Sequence, residues 1–306
     1  MRFIFAGTTE FGIPTLEKLI ADGHELLFVI TQPDKPFGRK QELNAAPIKK
    51  WAQANNVRVL QPDKISELHD DIALPKPDVL LVAAYGQIIP KEILDLPRHG
   101  SINIHGSVLP KYRGASPIQA AILHGDTKTG ITLLQMDEKM DHGPILATKD
   151  LDIAPEETFQ QLYRRLSELS AEICSQILPQ FLTGQIQGEP QEHSAATFTK
   201  LLRKEDARID WTGSAVNILN QVRALNPEPG TWTTLDGKVV KILEVKILPG
   251  IKIELPGKLF QTPEGLAAKA SDASLILQSV QPAGGNVMTG AQWANGIRNL
   301  SVKHFI

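Results

Sequence analysis

Residues 2–32 read RFIFAGTTEFGIPTLEKLIADGHELLFVITQ, with a short apolar run at each end of an amphipathic segment. The runs at 2–6 and 24–32 have the composition of buried strands. Between them, residues 14–23 carry apolar side chains at helical spacing and end on a glycine, where a helix would stop. This strand–helix–strand order predicts a parallel sheet joined by right-handed crossovers.

The same alternation continues through the first half of the chain. Residues 77–86 (PDVLLVAAYG) form a continuous apolar run, which is typical of a central parallel strand covered on both faces. Gly143 and Pro144 form a turn signal between two later runs and indicate a hairpin. The other predicted elements are strands at 57–60, 100–106, 130–136 and 144–153, and a long amphipathic helix at 158–184.

The character of the sequence changes near residue 185. Residues 185–206 are polar and lack a sustained period, as is typical of a linker. A predicted helix around 215–224 precedes several short runs, and Asp236-Gly237 between two of them is a strong hairpin signal. This pattern predicts a small β-barrel or sandwich. The predicted segments are a first domain at 1–188, a linker at 189–206 and a second domain at 207–306.

The overall composition excludes several classes of protein. The chain has 306 residues, a formal net charge of −2 and one cysteine, Cys174. The chain has no excess of positive charge that would indicate nucleic-acid binding. A single cysteine rules out an internal disulfide framework. No stretch approaches the roughly 20 apolar residues of a membrane span, and the N-terminus lacks a signal-peptide pattern. We expect a cytoplasmic protein with no membrane partner.

The first strand-to-helix turn, FAGTTEFG (5–12), lacks the fingerprint of a dinucleotide-binding loop. Its glycines, Gly7 and Gly12, do not follow G-x-G-x-x-G, and no acidic residue closes the second strand. A nicotinamide-dependent dehydrogenase is therefore disfavoured.

Residues 103–117, NIHGSVLPKYRGASP, carry side chains suited to chemistry. In a strand, Asn103 and His105 lie on one face, and they stand near its carboxyl end, where open parallel sheets bind ligands. Such a polar pair is either a satisfied structural feature or part of a site. The turn at 106–110 favours a site, because its backbone offers donors and acceptors suited to the polar edge of a flat heterocycle.

An acidic loop, QMDEKMDHGP (135–144), supplies the carboxylates Asp137 and Asp141. A carboxylate, an imidazole and a carboxamide can support acyl transfer to an amine without a covalent enzyme intermediate. Asn103 and His105 would donate to the developing oxyanion. Asp141 would hold the imidazole and help to remove the proton of the amine. The histidines and acidic residues show no metal-ligand spacing, and we expect no metal.

The pattern N-I-H-x-S-x-L-P-x-Y-R-G-A-x-P at 103–117 resembles the signature of the formyltransferase family that uses 10-formyltetrahydrofolate. The resemblance runs over nearly the whole chain. In the first half it includes FAGTTEFGIPTLEKLI, VITQPDKPFGRK and QMDEKMDHGPIL. In the second half, EDARIDW and VRALNPEPGTW are similar to the C-terminal domain of the members that act on methionyl-tRNA.

The resemblance implies a Rossmann-like α/β formyltransferase domain with a mostly parallel sheet, and a smaller OB-like β-barrel domain that binds tRNA. It implies transfer of a formyl group from 10-formyltetrahydrofolate to the amino group of methionyl-tRNA charged on the initiator tRNA, for translation initiation. The implied site residues are catalytic Asn103, His105 and Asp141, folate-contacting Ser107, Val108, Leu109 and Pro110, and tRNA-contacting Arg39 and Lys40 in a loop at 34–43.

Two loops depart from the family pattern. Gln41 and Glu42 stand where the tRNA-reading loop is usually richer in lysine, and Lys139 and His142 replace small residues of the acidic loop. Two alternatives stay open: a folate-dependent N-formyltransferase acting on an amino-sugar nucleotide, and a non-catalytic RNA-binding relative. The second half of the chain favours the tRNA reaction. We expect a monomer.

Overall fold

The computed structural model of the chain describes residues 1–37, 42–248 and 255–306. The chain divides into two compact units. The first comprises Met1–Pro117, Lys128–Asp152 and Gln161–Lys200, and the second comprises Ile118–Thr127, Ile153–Gln160 and Leu201–Ile306. The domain boundaries predicted from the sequence stay a prediction.

The first unit is an α/β structure built on a mostly parallel sheet. Its strands are β1 (Arg2–Gly7), β2 (Glu25–Ile30), β3 (Lys35–Phe37), β4 (Glu42–Asn44), β5 (Val59–Leu60), β6 (Val79–Ala83), β7 (Ser101–His105), β8 (Arg113–Gly114), β9 (Lys128–Gln135), β10 (Ile145–Asp152) and β11 (Phe198–Thr199). The helices that begin in the first unit or end in it are α1 (Ile13–Ala21), α2 (Pro47–Ala54), α3 (His69–Ala73), α4 (Lys91–Leu94), α5 (Pro117–Leu123) and α6 (Phe159–Leu182).

The main sheet has the strand order β10-β9-β7-β6-β1-β2-β5. The strands from β7 to β5 pair in parallel. In contrast, β9 pairs antiparallel with β7 and with β10. The opening strand–helix–strand unit, the parallel sheet and the β9–β10 hairpin predicted from the sequence are therefore confirmed.

The core of the first unit explains why its central strands are so apolar. All five residues of β6 are buried, because helices cover both faces of a central parallel strand. Buried Ile4, Ile30, Leu80 and Ile93 belong to one apolar cluster. Helix α6 is joined to the turn after β1, since Ser167 Oγ donates to the carbonyl of Phe11 at 2.7 Å.

The second unit is built around an antiparallel sheet. Its elements are α7 (Ala215–Leu225), β12 (Trp232–Leu235), β13 (Lys238–Leu248), β14 (Leu259–Thr262), β15 (Gly265–Lys269), β16 (Ser274–Pro282), β17 (Met288–Thr289) and α8 (Gly290–Ala294). The strand order is β12-β13-β16-β15-β14, and β17 pairs with β16. Every described pair is antiparallel. This agrees with the small β domain predicted for the second half.

The predicted turn at Asp236-Gly237 joins β12 to β13, with Leu235 opposite Lys238. Both turn residues have positive φ, 50° for Asp236 and 74° for Gly237, as a two-residue type I′ hairpin requires. In the part of the chain that the structure describes, no helix has the length and apolar character to cross a membrane.

Candidate active site

The candidate site lies at the carboxyl end of β7. Asn103 pairs with Val82 of parallel β6 and with Leu134 of antiparallel β9. His105 pairs with Thr132 of β9. The two polar residues stand where the sheet changes from parallel to antiparallel pairing, and the strand alternation places them on one face.

The acidic loop between β9 and β10 brings Asp141 to both side chains. Asn103 Nδ2 donates to Asp141 Oδ1 at 2.9 Å, and the backbone N–H of Gly114 donates to Asp141 Oδ2 at 2.8 Å. His105 Nδ1 lies 3.6 Å from Asp141 Oδ1, and the Asp141 side chain is 11% exposed. The three residues identified as catalytic by the resemblance therefore form one cluster.

His105 has an acceptor on each side of its ring. Nε2 lies 3.0 Å from the backbone carbonyl of Tyr112, and this contact requires a proton on Nε2 because a carbonyl oxygen only accepts. Nδ1 faces the Asp141 carboxylate at 3.6 Å, which is longer than a normal hydrogen bond. The imidazole is thereby held in one orientation beside the carboxylate.

The second carboxylate of the loop, Asp137, belongs to a different cluster. Asp137 Oδ2 lies 2.6 Å from His142 Nδ1, and Asp137 Oδ1 accepts from the N–H of Lys139 at 2.9 Å. The His142 ring stacks on the His193 ring, with centroids 4.0 Å apart and planes at 6°. Asp141, and not Asp137, is the carboxylate beside Asn103.

His193 in turn contacts a buried guanidinium. Arg113 is 3% exposed, and its Nη2 lies 2.9 Å from His193 Nδ1. Since a guanidinium can only donate, this nitrogen of His193 accepts. Desolvation, followed by the nearby charges of His142, Arg113 and Lys139, lowers the pKa of His193 from its ordinary value of 6.5.

The backbone of the Asp141 loop is unusual in two ways. Asp141 has a left-handed φ of 50°, which few non-glycine residues adopt. Gly143 passes so close to β9 that a Cβ there would lie 1.9 Å from the carbonyl oxygen of Gln135. Any side chain at this position would clash with β9, which explains why residue 143 is a glycine.

A side chain from outside the motif supports the loop. Gln191 is 6% exposed, and its Nε2 donates to the carbonyl of Asp141 at 2.9 Å and to that of Gly143 at 2.8 Å. Its Oε1 accepts from Arg113 Nε at 3.2 Å and from Arg113 Nη2 at 2.6 Å. The sequence alone does not indicate Gln191, because this residue lies in a polar stretch without a period.

Several polar groups of the turn at 107–110 bond within the protein. Thr132 Oγ1 donates to the Ser107 carbonyl at 2.7 Å and accepts from the Leu109 N–H at 3.1 Å. Ser107 Oγ donates to the Lys111 carbonyl at 2.6 Å, and the Lys111 N–H donates to the Val108 carbonyl at 3.2 Å. These contacts rigidify the turn. The assignment of Ser107, Val108, Leu109 and Pro110 to folate binding stays a prediction.

The predicted tRNA-contacting residues, Arg39 and Lys40, lie outside the described residues. The antiparallel strands β3 and β4 flank them, with Phe37 opposite Glu42 in the register. The chain entering β3 is anchored at Asp34, which pairs with Lys49 at 2.6 Å.

Two further observations concern Cys174 and the grouping of possible metal ligands. Cys174 is buried, and burial raises the pKa of its thiol far above the ordinary value, so a thiolate nucleophile is disfavoured. Within residues 1–37, 42–248 and 255–306, no three His, Cys, Asp or Glu side chains are grouped to hold a metal ion.

Comparison with known proteins identifies the family of this chain. Residues 1–178 match the formyl transferase family, and residues 201–298 match the formyl transferase C-terminal domain. The chain is 41% identical over 301 residues to the methionyl-tRNA formyltransferase of Geobacter sulfurreducens, a match that covers 97% of this chain and 94% of the relative. This chain belongs to the formyl transferase family.

Other members give the same result. The methionyl-tRNA formyltransferase of Myxococcus xanthus is 40% identical over 298 residues, covering 96% of this chain and 95% of the relative. These relatives and the formyl transferase domain show that the chain is an enzyme.

Solved structures share the formyl transferase fold. HypX from Aquifex aeolicus in complex with tetrahydrofolic acid superposes with a TM-score of 0.68 at 20% identity, over 96% of this chain and 46% of HypX. This chain thus spans about half the length of HypX. WlaRD, a sugar 3N-formyl transferase, gives a TM-score of 0.67 at 19% identity, over 90% of this chain and 96% of WlaRD.

Proposed function

We propose that this chain transfers a formyl group from 10-formyltetrahydrofolate to the free amino group of methionyl-tRNA charged on the initiator tRNA, for translation initiation. The observation that carries the proposal is 38–41% identity to several methionyl-tRNA formyltransferases over nearly the full length of both chains. The match includes both domains, whereas the likeness to sugar formyltransferases is one of fold.

The reaction joins the nitrogen of the amino acid to the formyl carbon and breaks the bond from that carbon to N10 of the folate. The amine loses one proton and N10 gains one, which gives formyl-methionyl-tRNA and tetrahydrofolate. The protein must therefore stabilise an oxyanion and move one proton. A carboxamide and a carboxylate that lie 2.9 Å apart, at Asn103 and Asp141, suit these two tasks.

Asn103 carries two N–H donors, and its contact with Asp141 uses one of them. The other would donate to the oxyanion. Asp141, whose side chain is 11% exposed, would accept the proton of the amine directly or through a water molecule. His105, held between the Tyr112 carbonyl and Asp141, would keep the carboxylate in place, and Asp141 would return the proton to N10 directly or through a water molecule.

The folate substrate would rest on the turn at 107–110. The contacts of Ser107 and Leu109 with Thr132 and Lys111 would keep the turn rigid, so that the folate meets a preformed edge. The half-buried side chains of Val108 and Pro110 suit this role. The complex of HypX with tetrahydrofolic acid supports a folate ligand for this fold.

The same proposal assigns the larger parts of the chain. Residues 1–188 would form the catalytic domain, 189–206 a linker, and 207–306 an OB-like domain that binds tRNA. Arg39 and Lys40 would contact the phosphates of the acceptor stem. The enzyme would act as a monomer in the cytoplasm, where charged initiator tRNA is available.

One assay tests the acceptor. The purified chain is given 10-formyltetrahydrofolate with charged initiator tRNA, charged elongator tRNA or an amino-sugar nucleotide, and the product is identified by mass spectrometry. We expect formylation of the initiator tRNA in preference to the other two. Preference for the sugar nucleotide would replace the proposal with that activity, and formylation of none would contradict an enzyme.

A further inference from the structure

We infer that Gln191 is a positioning residue for Asp141, acting through the backbone of the acidic loop. The inference rests on the proposed function of Asp141. One carboxamide donates both of its N–H groups, to the carbonyl of Asp141 at 2.9 Å and to that of Gly143 at 2.8 Å. A single side chain therefore holds the loop on both sides of residue 142.

The other end of Gln191 is fixed just as firmly. Its Oε1 accepts from both Nε and Nη2 of Arg113, so the guanidinium determines which way the amide faces. Arg113 and Gln191 are 3% and 6% exposed, and hydrogen bonds of a buried cation are stronger and more directional than neutral ones at the surface.

The arrangement links both polar ends of Asp141 to one dipeptide. The N–H of Gly114 donates to the carboxylate at 2.8 Å, while Arg113 holds the peptide carbonyl of Asp141 through Gln191. The dipeptide forms strand β8, which pairs with β11 at Phe198 and Thr199. The segment that carries Gln191 and β11 thus belongs physically to the catalytic cluster.

Such support is needed because Asp141 has a strained backbone. A non-glycine residue at a φ of 50° lies in a sparsely populated region of backbone conformation and persists only where its surroundings determine it. Without the two donors of Gln191, the loop would relax, and the carboxylate would leave its place beside Asn103 and His105.

Gln191→Glu is the selective variant. One oxygen of the new carboxylate still accepts from both N–H groups of Arg113, but the other oxygen replaces the NH₂ group and offers no donor to the two loop carbonyls. Gln221→Glu is a matched control, because Gln221 in the second unit also donates its amide to two backbone carbonyls, those of Asp206 at 3.1 Å and Arg208 at 3.0 Å. Gln191→Asn, which keeps a shorter amide, replaces Gln191→Glu if that variant does not fold.

We expect Gln191→Glu to lower kcat for formylation of charged initiator tRNA by about 10- to 100-fold, the effect of a displacement of roughly 1 Å. KM for both substrates should stay within about threefold, since only the group acting in the transition state moves. Gln221→Glu should retain the wild-type kcat. A kcat of Gln191→Glu within about twofold of wild type would overturn the inference.

Two further readouts separate positioning from general destabilisation. In an Asp141→Asn background, Gln191→Glu should cost less than about twofold in single-turnover rate, because its target is already lost. An equal loss in both backgrounds would overturn the inference. The amide resonance of Gly114 should shift in Gln191→Glu and not in Gln221→Glu. This readout decides the inference even if the wild-type chain transfers no formyl group, a result that would instead contradict the proposed function.

Discussion

Asn103 donates to the carboxylate of Asp141 across 2.9 Å, although 38 positions of sequence separate them. The strand β7 supplies the amide, and a loop between two antiparallel strands supplies the acid. Asp141 accepts hydrogen bonds from the Asn103 amide and the Gly114 N–H, and it lies beside His105. These contacts give its carboxylate a defined direction in the site. A defined direction is what transfer of one proton and stabilisation of one oxyanion require.

The first prediction concerns Asn103 as the proposed oxyanion donor. Asn103→Ala removes one carboxamide donor, and such a loss costs about 2.7–4 kcal/mol, or roughly 10²- to 10³-fold in kcat. Steady-state kinetics with saturating 10-formyltetrahydrofolate measures the effect. Asn55→Ala, which changes an exposed asparagine in the first unit, is the control and should leave kcat unchanged. Equal rates in Asn103→Ala and wild type would remove Asn103 from the mechanism.

The second prediction concerns the loop that carries Asp141. Gly143→Ala would place a Cβ 1.9 Å from the carbonyl oxygen of Gln135, so the loop must move, at a cost of about 1–3 kcal/mol in the free energy of unfolding. Denaturant unfolding and kcat should both show the loss. Gly285→Ala is the control, since its nearest atom would lie at 3.4 Å. A Gly143→Ala variant as stable as Gly285→Ala would contradict the description of this loop.

The third prediction concerns Arg39, for which we propose a contact with tRNA. If Arg39 contacts a phosphate, Arg39→Ala should raise KM for charged tRNA, leave KM for the folate unchanged, and reduce the slope of log KM against log salt by about one. Arg164→Ala removes the same charge from the surface of α6, where Arg164 pairs with Glu168 at 3.0 Å, and should change neither quantity. An unaltered KM for tRNA in Arg39→Ala would reject this assignment.

The fourth prediction concerns His193. Desolvation and the neighbouring His142, Arg113 and Lys139 lower its pKa below 6.5, against a smaller opposing effect of Glu192. Because the folded state disfavours the protonated form, the associated stability is present above pH 6.5 and is lost as the pH falls through the folded pKa. The imidazole resonances, assigned with His193→Gln, should titrate below 6.5.

The role of the stacked ring in that titration can be separated. His142→Gln should raise the pKa of His193 toward 6.5, because it removes a neighbouring group that becomes cationic at low pH. The stability of His193→Gln should also depend less on pH between 7 and 5. A His193 that titrates at or above 6.5 in the wild type would contradict the desolvated and positively charged surroundings of its ring.

The sequence predicts the sheet well because its signals are local. The apolar run of β6 and the alternation in β7 decide burial and facing within a few residues, and Asp236-Gly237 determines its own turn. Asn103 and His105 could be identified for the same reason, since two positions on one strand must share a face.

The remainder of the site depends on contacts between distant segments. Gln191 lies 50 positions from Asp141, in a stretch with neither period nor motif, so no local pattern indicates that the two residues meet. The sequence also offers Asp137 and Asp141 as equivalent acids. In the structure only Asp141 contacts Asn103. Its position depends on its left-handed φ and on the close approach of Gly143 to β9, and these two backbone features belong to the folded hairpin.

The most direct test of the central claim is the single-turnover rate of formyl transfer to charged initiator tRNA, measured for wild type and for Asp141→Asn with both substrates saturating. Asp141→Asn keeps the shape of the side chain but removes the carboxylate. Its NH₂ group replaces one of the two oxygens that accept from Asn103 Nδ2 and the Gly114 N–H. We predict rapid transfer by the wild type and a rate lower by about 10²- to 10⁴-fold in the variant, with both proteins folded. Equal rates in the two proteins would contradict the claim.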